Sequence, residues 1–402
     1  MQTSRPNEFI ALVAMLTALV AISIDTMLPA IGIISTSLGA TNPNDRQLII
    51  LGFFGGMMFG TLLFGPVSDS IGRKPTIYIG LVFFIAGALL CMFSTTFPML
   101  IAGRLLQGFG AASPRIVSIA MVRDGAKGAD MARIMSFVMS VFMLVPIMAP
   151  SIGQLVLYVA SWRVIFMGFV VAAVIAAIWL HFRQGETLAP ENRLPFSARE
   201  LAHSAKQVIR SPIALGYTIA VGFIFGAFTA YLGTSQQIFA EQYQLGDKFA
   251  LWFGGMAIAI ALAMITNGRM VQRLGMRLIS KRAVYGFIAS WTVMIAFTIA
   301  YHGHPPLPVV GVLMFCSFFC SGLLFGNYNA MALEPMGHIA GMASAISGAL
   351  SSFIAVVLGA IAGHFYDGTL YPISTAFLAF GILAWISGEW AERGSKAQKT
   401  HP

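Results

Sequence analysis

Three charged side chains stand where an apolar chain has no ordinary use for them. Asp25 lies in AISIDTMLPAIG (residues 21–32), with Pro29 one turn later, and Arg104 and Arg115 lie in RLLQGFGAASPRIVSIAMVRD (residues 104–124). A charge at mid-membrane costs roughly 2.5–3.5 kcal/mol on insertion scales, so none of the three is expected to face lipid. A lone carboxylate in such surroundings can bind and release a proton or pair with a cationic ligand. A lone guanidinium can hold an anion or a strong dipole. Hydrolytic chemistry has no residues to run on: phosphate loops, HExxH and GxSxG are missing. The histidines (His181, His203, His302, His304, His338, His364 and His401) are scattered through loops and ends. Cys91, Cys316 and Cys320 fall in apolar runs, where packing is expected rather than a disulfide or metal site. The reading is of a protein that is not an enzyme and carries no metal or cofactor.

The elements that hold these charges follow from composition. With 57% hydrophobic and 10% charged residues, the chain cannot cover a 402-residue globule with polar surface. Its apolar residues come in runs of about 20, the length of a helix crossing a ~30 Å hydrocarbon layer. Twelve runs are expected as helices: 9–34, 47–67, 75–94, 98–122, 134–157, 162–182, 212–240, 249–271, 281–301, 307–331, 339–362 and 370–390. The first lacks a signal-peptide cleavage site and contains Asp25, so it is expected to stay. The runs do not alternate polar and apolar residues, which excludes a membrane barrel. The fold class is therefore an all-α membrane protein of twelve transmembrane helices.

The net charge of +9 is topological rather than a sign of nucleic-acid binding. With a cytoplasmic N-terminus, 19 of the 24 Lys and Arg residues fall on cytoplasmic segments, against Arg46, Arg163 and Lys248 outside and Arg104 and Arg115 within spans. That bias places both termini in the cytoplasm. The basic stretch RMVQRLGMRLISKR (269–282) reads as a contact for anionic lipid.

A polar segment, residues 183–211, divides the runs six and six. The expected organisation is residues 1–182, a central cytoplasmic loop 183–211, and residues 212–402. GPVSDSIGRK (65–74) and GRMVQRLGMR (268–277) align at an offset of 203, pairing Gly65 with Gly268, Asp69 with Gln272, Gly72 with Gly275 and Lys74 with Arg277. Matched loops in a six-plus-six layout support an internal repeat, the build of a transporter whose halves rock about a central site.

On these residues a resemblance becomes specific. GPVSDSIGRKP resembles the loop motif of the major facilitator superfamily, G-x-L-x-D-R-x-G-R-K. The stretch from Arg104 resembles the fourth-helix motif of its proton-coupled drug exporters. VPIMAPSIGQ (145–154) is similar to their fifth-helix motif G-P-x-x-G-G, with Ala149 and Gln154 in place of glycines. The order IDTMLP, GRKP, RLLQG, MVRD and AGMASAISG looks most like the bicyclomycin/chloramphenicol-resistance branch. The resemblance implies two pseudo-symmetric bundles and proton-coupled efflux of small amphipathic compounds across the cytoplasmic membrane by alternating access. No partner is implied beyond cargo, protons and lipid, and a monomer is expected. A proton-linked symporter, or an exporter of a single metabolite, is the alternative.

Depth sorts the marked residues. At ~1.5 Å per residue, Asp25 lies about 24 Å from the cytoplasmic end of its span, Arg104 about 28 Å from Arg123, and Arg115 only about 12 Å in. Asp25 and Arg104 can thus approach each other or share a cavity. Asp25 is the expected proton-coupling and substrate site, with a static ion pair or a cap on the break at Pro29 as the structural alternative. Arg115 either favours anionic or dipolar cargo or bonds to carbonyls freed by Pro114. The resemblance assigns Asp69, Arg73 and Asp124 to a charge cluster tying helix ends on the cytoplasmic side; Asp69 can also sit at a helix N-terminus. Gly65 and Gly72 permit the tight turn, Lys74 accompanies them, and Gln272 makes the second copy asymmetric. Pro146, Pro150 and Gly153 mark a bend, which the resemblance links to limiting leakage. Tyr231, Asn327 and Asn329, with Phe223, Phe225 and Phe228, are candidates for an adaptable pocket.

Overall fold

The computed structural model describes residues 6–126 and 128–399; His401 lies outside them. Helices α1 (Pro6–Asp25) and α2 (Ile31–Ser37) flank a 3₁₀ turn, Leu28–Ala30. They are followed by α3 (Leu48–Ile71), α4 (Arg73–Met92), α5 (Phe97–Gly125), α6 (Gly128–Val159) and α7 (Arg163–Arg183). Next come α8 (Ala198–Arg210), α9 (Pro212–Gln236), α10 (Phe249–Leu274), α11 (Met276–Ala300), α12 (Leu307–Leu333), α13 (Ala340–His364) and α14 (Tyr371–Lys399). Among the described residues there are 12 helical spans long and apolar enough to cross a membrane, and no strand. Helices satisfy their own backbone hydrogen bonds, which hydrocarbon cannot do.

The chain divides into two compact units between Ala198 and Arg199. In the first, α5 packs on α3 and α4, α4 on α7, and α1 on α5, α6 and α7. In the second, α12 packs on α10 and α11, α11 on α14, and α9 on α12, α13 and α14. These are the same pairings, position for position, so the loop repeat at offset 203 belongs to a repeat of whole bundles. The central segment is not a separate piece: residues 184–194 hydrogen-bond into the first unit, and α8 packs within the second.

Close backbone contact fixes the first bundle. A Cβ on Gly56 would lie 1.8 Å from the Leu105 carbonyl oxygen, and one on Gly108 would lie 1.9 Å from that of Phe53. On the other side of α5, a Cβ on Gly87 would meet the Gln107 nitrogen at 2.3 Å. Glycine lets α5 lie directly on both neighbours, as small residues do between helices in membranes.

Candidate functional site

The first span is discontinuous where its carboxylate sits. Asp25 is the last residue of α1, and Pro29 has no N–H to give the Asp25 carbonyl. The chain turns through Thr26 and Met27, whose N–H groups reach Ile22 (3.2 Å) and Ile24 (3.3 Å), and then enters the 3₁₀ turn. Asp25 is 5% exposed and forms no ion pair or hydrogen bond with any described residue. A carboxylate at a helix C-terminus also meets the unfavourable end of the helix dipole. The side chain is therefore neither half of a static pair nor a cap on the break.

The bend in α6 is packed into this discontinuity. Pro146 and Pro150 lie inside α6, and Gly153 follows against the turn after Asp25. A Cβ at Gly153 would stand 1.9 Å from the Thr26 carbonyl oxygen. The position of the α1 break thus depends on a helix that has no side chain at that point.

Arg104 is fully buried and occupied elsewhere. Its Nε donates to the Ile49 carbonyl (3.0 Å) and one Nη donates to Gln107 Oε1 (2.7 Å), while its guanidinium carbon lies 4.6 Å from the centre of the Phe53 ring. The other Nη, and Gln107 Nε2, are buried without a hydrogen-bond partner. Arg104 and Asp25 do not form an ion pair, because α3 captures the guanidinium first. Among the described residues, Arg115 meets only the Met57 thioether, at 3.9 Å. No backbone carbonyl of the described residues accepts from it.

At the α3–α4 turn, Arg73 binds Asp69 one turn earlier, Asp124 at the end of α5 (2.9 Å) and Ser68 Oγ (2.8 Å). Asp69 thus ends α3 rather than heading α4. The carboxylate at the α4 N-terminus is Glu186, a loop residue that no sequence pattern marked. Lys74 Nζ donates to the carbonyls of His181 (3.0 Å) and Gln184 (2.8 Å). Gly72 takes φ +107°, and a Cβ at Gly65 would meet nothing within 4 Å, so only Gly72 is dictated by the turn.

The second copy is asymmetric, by different means from Gln272 alone. Arg277 pairs with Glu334, just past α12, and with Glu392 on α14, each at 2.8 Å, and Glu392 also accepts from the Tyr217 hydroxyl. Arg277, Glu392 and Tyr217, with Ser280, Lys281 and Glu389, line a cavity of about 250 Å³ within the second unit. Tyr231 is 2% exposed in an aromatic cluster, stacked on Phe253 at 5.5 Å and edge-on to Phe318 at 4.6 Å. Asn327 forms a reciprocal amide pair with Asn267 (2.9 and 3.1 Å), a partner the sequence did not reveal. Asn329 is half-buried and donates to the Phe325 carbonyl one turn back. Tyr231 and Asn327 thus pack inside the second unit, while the Asn329 amide turns back onto its own helix.

The sequence profile described as Major Facilitator Superfamily matches residues 13–360. A Haemophilus influenzae protein named bicyclomycin resistance protein homolog is 28% identical over 366 residues, covering 91% of each chain. The multidrug resistance protein MdtL of Klebsiella pneumoniae is 23% identical over 88% of this chain and 90% of its own. Among solved structures, the xylose transporter XylE of E. coli superposes with a TM-score of 0.71 at 13% identity, over 96% of this chain and 97% of its own. Two bundles of one wiring, followed by the family profile through both, make the chain a member of the Major Facilitator Superfamily.

Proposed function

We propose that this transporter exports small amphipathic compounds across the cytoplasmic membrane in exchange for protons, with both termini in the cytoplasm and a single chain as the working unit. Asp25 carries the reading: a nearly buried carboxylate at the break of α1, with no partner among the described residues. The compensation open to it is a proton or a cationic group on the cargo, so the two compete for one site. Arg104 supports coupling from a distance, as a fixed cation with one of its own Nη groups and the neighbouring Gln107 Nε2 buried without partners. The drug-resistance names of the relatives support a drug-like cargo. One inward proton at 100 mV contributes ~2.3 kcal/mol, enough for roughly a fifty-fold cargo gradient.

Inside-out vesicles test the direction of exchange. With protons leaving an acidified lumen, the exporter accumulates drug in the lumen. Depletion of luminal drug under the same gradient would instead establish the symporter. Ala149 and Gln154, in place of two motif glycines, are the residues that favour that second reading.

Arg115 bears on cargo choice. Its guanidinium has the Met57 thioether as its partner and no carboxylate, so an anionic or strongly dipolar cargo group gives it the missing interaction. Arg115→Gln is expected to weaken apparent affinity for anionic cargo at least about tenfold, while neutral cargo changes little. Competition assays across cargo of different charge measure this, and equal effects on all classes would remove Arg115 from recognition.

A further inference from the structure

Four helices of the second unit, α9, α11, α12 and α14, meet around the cavity beside Arg277, and its walls combine two chemistries. Tyr217, Tyr328 and Trp385 supply aromatic faces, with the two tyrosine rings 5.4 Å apart. Glu389 and Glu392 stand three residues apart on one face of α14. Gly388 precedes them without a side chain. A Cβ there would lie 3.6 Å from the Tyr328 hydroxyl, so glycine leaves open the space beside the phenols.

The charges in this wall are unevenly satisfied. Arg277 divides its guanidinium between Glu392 and Glu334, and Glu334 lies outside the cavity. The one ion pair of Glu389 among the described residues is to Lys281 Nζ at 3.6 Å, beyond the ~2.7–3.2 Å of a hydrogen bond. Ser280, also in the wall, is 2% exposed, and neither its hydroxyl nor the Trp385 indole N–H has a hydrogen-bond partner. The first unit shows that the fold does not require this polarity. At the offset of 203, the counterparts of Ser280 and Lys281 are Ile77 and Tyr78. Lys74, the counterpart of Arg277, is satisfied by the His181 and Gln184 carbonyls.

We propose that this cavity binds organic ammonium groups, held by Glu389 and the aromatic faces of Tyr217, Tyr328 and Trp385. A cation over an aromatic ring is attracted to its negative face, more strongly where water is excluded. Glu389 supplies the counter-charge, and the Ser280 hydroxyl can accept from an ammonium N–H. At about 250 Å³ the cavity is smaller than the ~300–1,000 Å³ of drug-sized pockets, so it takes a small amine or the head group of a larger one. Lys281 competes for Glu389, and its 55% exposed side chain can swing away as a ligand enters. The site names a class of amphipathic compound, the amines, and rests on neither proton coupling nor the direction of transport.

Titration calorimetry of benzylammonium with the purified full chain tests this without transport. The background is Asp25→Asn, so that the proposed coupling carboxylate contributes nothing. Benzyl alcohol and benzoate, of similar size, should bind at least about tenfold more weakly than benzylammonium. Glu389→Gln should weaken benzylammonium at least about tenfold, whereas Lys281→Gln, which frees Glu389, should tighten it. A purely structural ion pair cannot give opposite signs from its two partners. Gly388→Leu keeps every charge and fills the space, so it should abolish binding; thermal unfolding checks that each variant is folded. The proposal is overturned if benzylammonium does not bind, if Glu389→Gln leaves its affinity unchanged, if Lys281→Gln weakens it, or if benzoate binds as tightly. Any of these outcomes leaves proton-coupled export standing, because that assignment is read from transport.

Discussion

Asparagine at position 25 is expected to abolish proton-driven transport while leaving downhill exchange of neutral cargo intact. The substitution keeps the shape of the side chain and removes only its charge and its proton. Because Asp25 forms no ion pair or hydrogen bond with described residues, no structural interaction is lost with it. Thermal stability should hold or rise, since an uncompensated charge at this depth costs as much as roughly 2.5–3.5 kcal/mol. In drug-susceptibility panels with an exporter-deficient host, protection should fall to that of the empty host for several unrelated drugs. In vesicles the roughly fifty-fold gradient supported by one proton at 100 mV should vanish. A purely structural aspartate gives the opposite pair of results, with lower stability and undiminished proton-driven transport.

The second large effect is expected at Gly153. Alanine there sets a methyl group 1.9 Å from the Thr26 carbonyl oxygen and 2.9 Å from its carbon. Those atoms are backbone, so no side chain can swing aside, and either α6 or the α1 break must shift. Overpacking of this kind costs ~1–3 kcal/mol. For a bundle of about 200 residues that is a fall of several degrees in the thermal midpoint, at roughly 2–4 °C per kcal/mol. Transport should fall with it, because the displaced turn carries Asp25. Gly168→Ala on α7, where nothing lies within 4 Å, should change neither quantity. Full transport by Gly153→Ala would show that the break can move without consequence for coupling.

Apolar runs made most of the fold legible, and charges interrupting them made part of the site legible. Twelve runs became twelve spans, and the offset-203 loops became equivalent turns in two bundles of one wiring. Asp25, Arg104 and Arg115 stood out because a charge in a long apolar helix has few tolerable settings. What those charges touch was not legible. Arg104 lies at a depth similar to Asp25, yet it bonds to the Ile49 carbonyl because α3 crosses α5 on glycines at that level. Glu186, Glu334 and Glu392 come from polar or terminal segments, where an acid is unremarkable until tertiary packing gives it a partner. Asn267 was hidden for a related reason: one amide inside a span gains meaning only when a second faces it from another helix.

The glycine contacts along α5 also bear on how this sequence can drift. Where a neighbour's carbonyl occupies the place of a β-carbon, as at Gly56 and Gly108, no coded replacement is small enough and compensation from a partner side chain is impossible. Such sites should be purged of variation whatever compound is carried, while lipid-facing positions such as Val82 and Phe182 wander freely. A saturation library selected only for membrane insertion and folding should therefore already return the glycines of this helix, before any selection for export is applied.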